Sequence, residues 1–216
     1  LCHTHPAMKV VILAEVQRFV LRPNVGERAQ YYATIFMNQL VLTRKESAIA
    51  QTLLLIYLSL FGARAKESIQ SRMLSALLSG IHRAVPFCEA PGDLLTRQLS
   101  SLFRCAHAAS FSTTVQALMV LSHAASFDET SVHRFYSAVY EAMLHTEMPS
   151  SSKLALFLNV VYKAMKADTH PGRVRAFAKR LLQVCAHATP ALTCAILLLL
   201  SEVRRSSAPP QAMSGS

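Results

Sequence analysis

Residues 154–165 read Leu-Ala-Leu-Phe-Leu-Asn-Val-Val-Tyr-Lys-Ala-Met. Leu154, Phe157, Leu158, Val161, Tyr162 and Met165 fall at i, i+3, i+4, i+7, i+8 and i+11, the spacing that lines one face of a 3.6-residue helix. Working outward, Ala29, Tyr32, Ala33, Phe36, Met37 and Leu40 repeat the same template. No segment of useful length alternates with period two. The 216 residues include only 6 Gly and 9 Pro, too few turn formers for a sandwich or barrel that turns every ten residues or so. The chain therefore reads as all-α.

Punctuation divides the remainder. Pro23-Asn24, Gly62, Pro86, Pro91-Gly92, Pro149, Pro171-Gly172 and Pro190 leave room for helices over 7–22, 27–42, 46–61, 66–85, 93–108, 112–125, 130–146, 151–167, 171–187 and 190–205. Asn24 with Glu27 makes a capping-box pattern. Thr189-Pro190 places an N-cap before a proline at the first helical position, and Ser150 to Ser152 can cap the helix that follows. Short connections predict antiparallel neighbours, and helices apolar on more than one face predict a degenerate α-solenoid of about ten helices in antiparallel hairpins. His107-Ala-Ala-Ser-Phe111 recurs as His123-Ala-Ala-Ser-Phe127, which fits either two similar helix ends or chance. Residues 1–205 read as one helical-repeat domain and 206–216 as a disordered tail or linker. A first residue other than Met suggests a fragment of a longer protein.

Residues 48–63 and 191–200 are strongly apolar, yet each is shorter than the ~20 residues of a membrane span. Both are expected to be buried helices. Five scattered cysteines, Cys2, Cys88, Cys105, Cys185 and Cys194, do not form a disulfide framework and suggest a reducing compartment. Cys105-Ala-His107 and Cys185-Ala-His187 share a spacing. On a helix such i and i+2 side chains point about 200° apart and cannot chelate together. No metal or other cofactor is expected. Gly-x-Ser-x-Gly, His-Glu-x-x-His and Gly-rich phosphate loops are absent from the sequence, so no catalytic residues are assigned.

Charge is more informative. Twenty-two Lys and Arg against 12 Asp and Glu leave a net charge of +10, which suits a polyanion or an acidic protein. Half of that excess lies in Lys163, Lys166, Arg173, Arg175, Lys179 and Arg180, opposed within the segment by Asp168. With Val174, Phe177, Leu181 and Val184 packing inward, the basic side chains of 171–187 are expected to face out and contact phosphates without reading sequence. Aromatics beside charge at Arg28, Tyr31 and Tyr32, and at Arg134, Phe135, Tyr136 and Tyr140, could stack on RNA bases; helical spacing favours core packing.

A longer pattern runs through these segments. Arg28-Ala-Gln-Tyr-Tyr-Ala33 with Phe36-Met-Asn-Gln-Leu40 resembles the CCAAT-binding factor (CBF) family of nucleolar complex proteins. So does Ser71-Arg-Met-Leu-Ser-Ala-Leu-Leu-Ser-Gly-Ile-His-Arg-Ala-Val-Pro-Phe87. Thr114-Val-Gln-Ala-Leu118, Arg134-Phe-Tyr136, Ser151-Ser-Lys-Leu-Ala-Leu-Phe-Leu-Asn159, Tyr162-Lys163, Lys166-Ala-Asp168 and Arg173-Val-Arg-Ala-Phe-Ala-Lys-Arg-Leu-Leu182 follow in the family's order. The resemblance covers roughly 10–205. It implies a HEAT/armadillo-like scaffold without catalysis, acting in the nucleolus in early large (60S) ribosomal subunit assembly. It also implies pre-rRNA, a second nucleolar complex protein as heterodimer partner and other pre-60S factors as its contacts, with no membrane and no small-molecule substrate. Two alternatives are a CCAAT-box DNA-binding regulator and a pure protein-interaction module. No helix-turn-helix, basic zipper or zinc finger is visible that would enter a major groove.

Overall fold

The computed structural model describes residues 5, 7–64, 72–89, 91–107, 110–124 and 129–207. These residues form eleven α-helices and no strand: α1 (Met8–Val20), α2 (Glu27–Asn38), α3 (Ser47–Arg64), α4 (Arg72–Ala84), α5 (Gly92–Thr96), α6 (Leu99–Ala106), α7 (Phe111–Ala124), α8 (Glu129–Ala142), α9 (Leu154–Ala167), α10 (Pro171–Cys185) and α11 (Pro190–Ser207). The expected all-α class holds. The principal packing is between near neighbours in the chain: α1 on α2 and α3, α4 on α2, α3 and α7, α7 on α6, α8 and α9, and α11 on α9 and α10.

The local signals succeed in some places and fail in others. Pro190 begins α11, and the Thr189 hydroxyl accepts the Leu192 N–H at 3.4 Å. The Asn24 capping box does not form. Gly26 precedes α2 as its N-cap with no side-chain bond, while Asn24 takes the left-handed conformation at φ 67°. The amide residue is used for the reversal between α1 and α2, where few L-residues fit. The helix expected over 93–108 is broken at Arg97-Gln98 into α5 and α6. Nothing in that sequence is a breaker. Both halves pack on α7, but α5 also meets α3 whereas α6 also meets α8, so the two halves follow different second neighbours. The expected residues 66–71 and 208–216, Cys2, and half of the repeated His-Ala-Ala-Ser-Phe pattern (108–109 and 125–127) lie outside the described residues.

The core runs through the apolar faces of α3, α4 and α7. Ten of the fourteen residues of α7 are buried, as a helix apolar on several sides requires. Phe111 on α7 meets Phe157 on α9 edge to face, centroids 5.2 Å apart at 71°. The apolar run 48–63 is buried as α3, apart from Leu55 and other exposed positions on one side. The run 191–200 is only half so: Leu192, Ile196 and Leu199 are buried, whereas Leu197 and Leu198 are 49% and 68% exposed. No described helix is long and apolar enough to cross a membrane.

Gly80 shows how closely α4 crosses its partners. A Cβ there would lie 2.5 Å from Asn38 Oδ1 and 2.7 Å from Tyr57 Cζ. Helix propensity alone favours alanine by about 1 kcal/mol. Overpacking a fixed contact costs about 1–3 kcal/mol, so Gly80→Ala is expected to lower stability by about 1–2 kcal/mol in denaturant unfolding. A stabilised variant would show that α2 and α3 can retreat.

Candidate nucleic-acid interface

The basic segment spans the end of α9, a turn, and α10. Lys163 and Lys166 are exposed on α9. Lys163 borders an open cleft of about 420 Å3 with Ser122, His123, Phe135 and Tyr136. Lys166 Nζ lies 5.7 Å from the Tyr162 ring centre. Arg175 and Lys179 are exposed on α10.

Arg173 and Arg180 do not join them, which corrects the expectation that all four α10 cations face out. Arg173 clamps Asp168 with two hydrogen bonds, Nη2 to Oδ1 at 2.7 Å and Nε to Oδ2. The Asp168 side chain is 1% exposed and that of Arg173 20%. Burial pushes the Asp168 carboxyl up, but the Arg173 bonds and the His170 N–H outweigh it and hold it below the usual carboxylate value. The Arg173 guanidinium also lies 3.9 Å from the Tyr136 ring centre, and that of Arg180 lies 4.2 Å from Tyr140. Phe177 sits against both tyrosines, 6.0 Å from Tyr136 and 5.6 Å from Tyr140. The sequence held the signal. Arg173 and Arg180 stand four residues before and three after Phe177, on its face of the helix, while Arg175 and Lys179 stand two away on the opposite side. These arginines pin α10 onto α8. Tyr136 extends the link by donating its hydroxyl to Ala164 O of α9 at 3.0 Å.

Nearby, His82 of α4 and His123 of α7 stack with centroids 5.2 Å apart. Burial pushes both rings down, His123 to about 4, and Lys163 adds to both; the His82 imidazole adds to the effect at His123, while a hydrogen bond to the Met119 backbone opposes it at His82. Both are therefore neutral at pH 7, and Lys163 supplies the positive charge there. Cys105 is buried with its thiol pushed up to about 11, and His107 Nδ1 lies 3.1 Å from Glu141 Oε2. Among the described residues no three His, Cys, Asp or Glu side chains converge as metal ligands. The aromatics divide: Phe135 and Tyr136 are buried as expected, whereas Tyr32 is 57% exposed.

The fold and this surface define an all-helical protein that presents, from α9 and α10, cations with no carboxylate partner among the described residues. Residues 114–214 match the model of the CBF/Mak21 family. The chain is 42% identical over 200 residues to human CCAAT/enhancer-binding protein zeta, covering 92% of this chain and 19% of that protein. It is 33% identical over 241 residues to ribosome biogenesis protein NOC1 of Chaetomium thermophilum, covering 95% and 23%. It is 29% identical over 209 residues to nucleolar complex protein 1 of Drosophila melanogaster, covering 93% and 18%. The chain belongs to the CBF/Mak21 family, as the ordered motifs indicated, and spans about a fifth of the length of these relatives.

Proposed function

We propose that this chain is a non-catalytic scaffold segment of a nucleolar factor in early large-subunit ribosome assembly. It holds pre-rRNA through Lys163, Lys166, Arg175 and Lys179, and pairs with a second nucleolar complex protein among other pre-60S factors. Arg173 and Arg180 serve that face indirectly, by fixing α10. The observation that carries the reading is the set of outward cations without carboxylate partners among the described residues, in a chain with relatives named for ribosome biogenesis and the nucleolar complex. A solenoid stacking of the helices agrees with their neighbour-to-neighbour packing. It would offer extended surface to folded RNA, whose duplexes hide base edges from side chains. The human relative's name supports a second reading, CCAAT-box binding.

Charge reversal at Lys163, Lys166, Arg175 and Lys179 together tests the first. RNA affinity is expected to fall at least tenfold, and the log–log salt slope to shrink by about 3, from about 0.7–0.9 per phosphate contact. An unchanged slope would remove this face from the interface. Footprinting on CCAAT duplexes at physiological salt separates the second reading: a sequence-specific footprint would favour it.

A further inference from the structure

A second surface lies between α2 and α4, away from the segment discussed above. Glu27, Arg28, Tyr31 and Tyr32 of α2 and Arg72 and Met73 of α4 line a cleft of about 560 Å3, within the roughly 300–1,000 Å3 range of small-ligand sites. Met73 is buried beneath it. Tyr31 and Tyr32 form a corner, their rings 5.6 Å apart at 64°.

Tyr32 has no packing reason to stand in solvent. Buried Thr34 and Met37 already supply the inner face of α2. Its ring is also left open. Arg28 lies 5.9 Å from the ring centre, at the outer limit of about 6 Å for a cation–π contact. The structural pairs of α8 and α10 sit at 3.9 and 4.2 Å. Among the described residues, two guanidiniums and one carboxylate line this cleft, so charge alone is a weak attraction. An exposed aromatic face flanked by arginines suits a ligand with a flat ring and an attached phosphate.

We infer that this cleft takes an unpaired nucleotide of RNA, its base stacked on Tyr32 and its phosphate met by Arg28 and Arg72. The inference rests on the RNA-binding reading and extends it to single-stranded segments, since stacked duplex bases offer no free face.

The test measures binding of the full chain to an oligoadenylate and to an RNA duplex by fluorescence anisotropy. Tyr32→Ala is expected to weaken the single strand about tenfold, within the range for loss of one stacked base, and to leave the duplex unchanged. Tyr32→Trp should restore the single-strand affinity, which a merely structural role would not predict. Replacing Arg28 and Arg72 by alanine should lower the single-strand salt slope. An unchanged single-strand affinity in Tyr32→Ala overturns the inference, as does an equal loss for strand and duplex. So does a cleft that the arginine variant shows to bind an acidic peptide but no RNA. If the parent chain binds neither RNA, the broader reading fails with it. If only the α9–α10 charge reversal matters, this inference alone fails.

Discussion

Phe157→Ala is expected to cost about 3–5 kcal/mol, the usual toll of emptying a buried aromatic site. Phe157 is fully buried on α9 and makes the edge contact with Phe111 of α7. Through it α9 sits on α7, one of the most enclosed helices in the chain. Loss of the ring removes apolar contact and leaves a cavity that two helix backbones cannot readily collapse. The urea midpoint should fall while the slope is retained, as for a change in stability alone. Phe157→Leu should recover much of the difference, because it refills most of the volume. A loss below about 1 kcal/mol in the alanine variant would mean that α9 is not seated on α7 as described.

Asp168→Ala is expected to destabilise by about 2–4 kcal/mol, discounted from a fully buried pair because Arg173 keeps some solvent. The carboxylate satisfies the Arg173 fork and the His170 N–H at once. Its removal leaves a guanidinium over Tyr136 with no counter-charge and loosens the α9–α10 turn that places Lys166 and Arg175. The pH dependence follows from the depressed carboxyl. Stability from this pair is present above the ordinary aspartate value and is lost as pH falls through the lower folded value. Parent and Asp168→Ala should therefore converge in stability on acidification toward pH 2. A gap that stays constant from neutral to strongly acidic solution would show that the ion pair does not stabilise the turn. Replacing both Asp168 and Arg173 should cost less than the two single changes combined, the mark of direct coupling.

Much of this was readable from local pattern. The stripe of α9 follows from apolar spacing, and the α11 start from Thr189-Pro190; in α2 the expected stripe fails at Tyr32 and Phe36, which are exposed while Thr34 is buried. Arg173 and Arg180 were expected at the surface with the other cations of α10; they share the Phe177 face, but only the packed tyrosines of α8 give that face something to hold them. Other features were not readable. Asn24 has a good capping sequence, yet its tolerance of positive φ is spent on a chain reversal. The 93–108 stretch has a good helical sequence, yet its two halves, both on α7, answer to different second neighbours, α3 and α8. The exposure of Tyr32 could not be told from that of the other aromatics at helical spacing, because period marks a face without saying what covers it.

Helix class, approximate helix spans and the concentration of positive charge in 163–180 were settled by residue order alone, since each depends on neighbours within a few positions along the chain. Which cations reach solvent was decided by the tertiary structure. Arg180 finds Tyr140, Arg173 finds Tyr136, and Tyr136 finds Ala164, from residues 28–40 positions away along the chain. Contacts at that range exist only after the helices have packed, and they sort one continuous basic segment into side chains that hold the fold and side chains left free to bind.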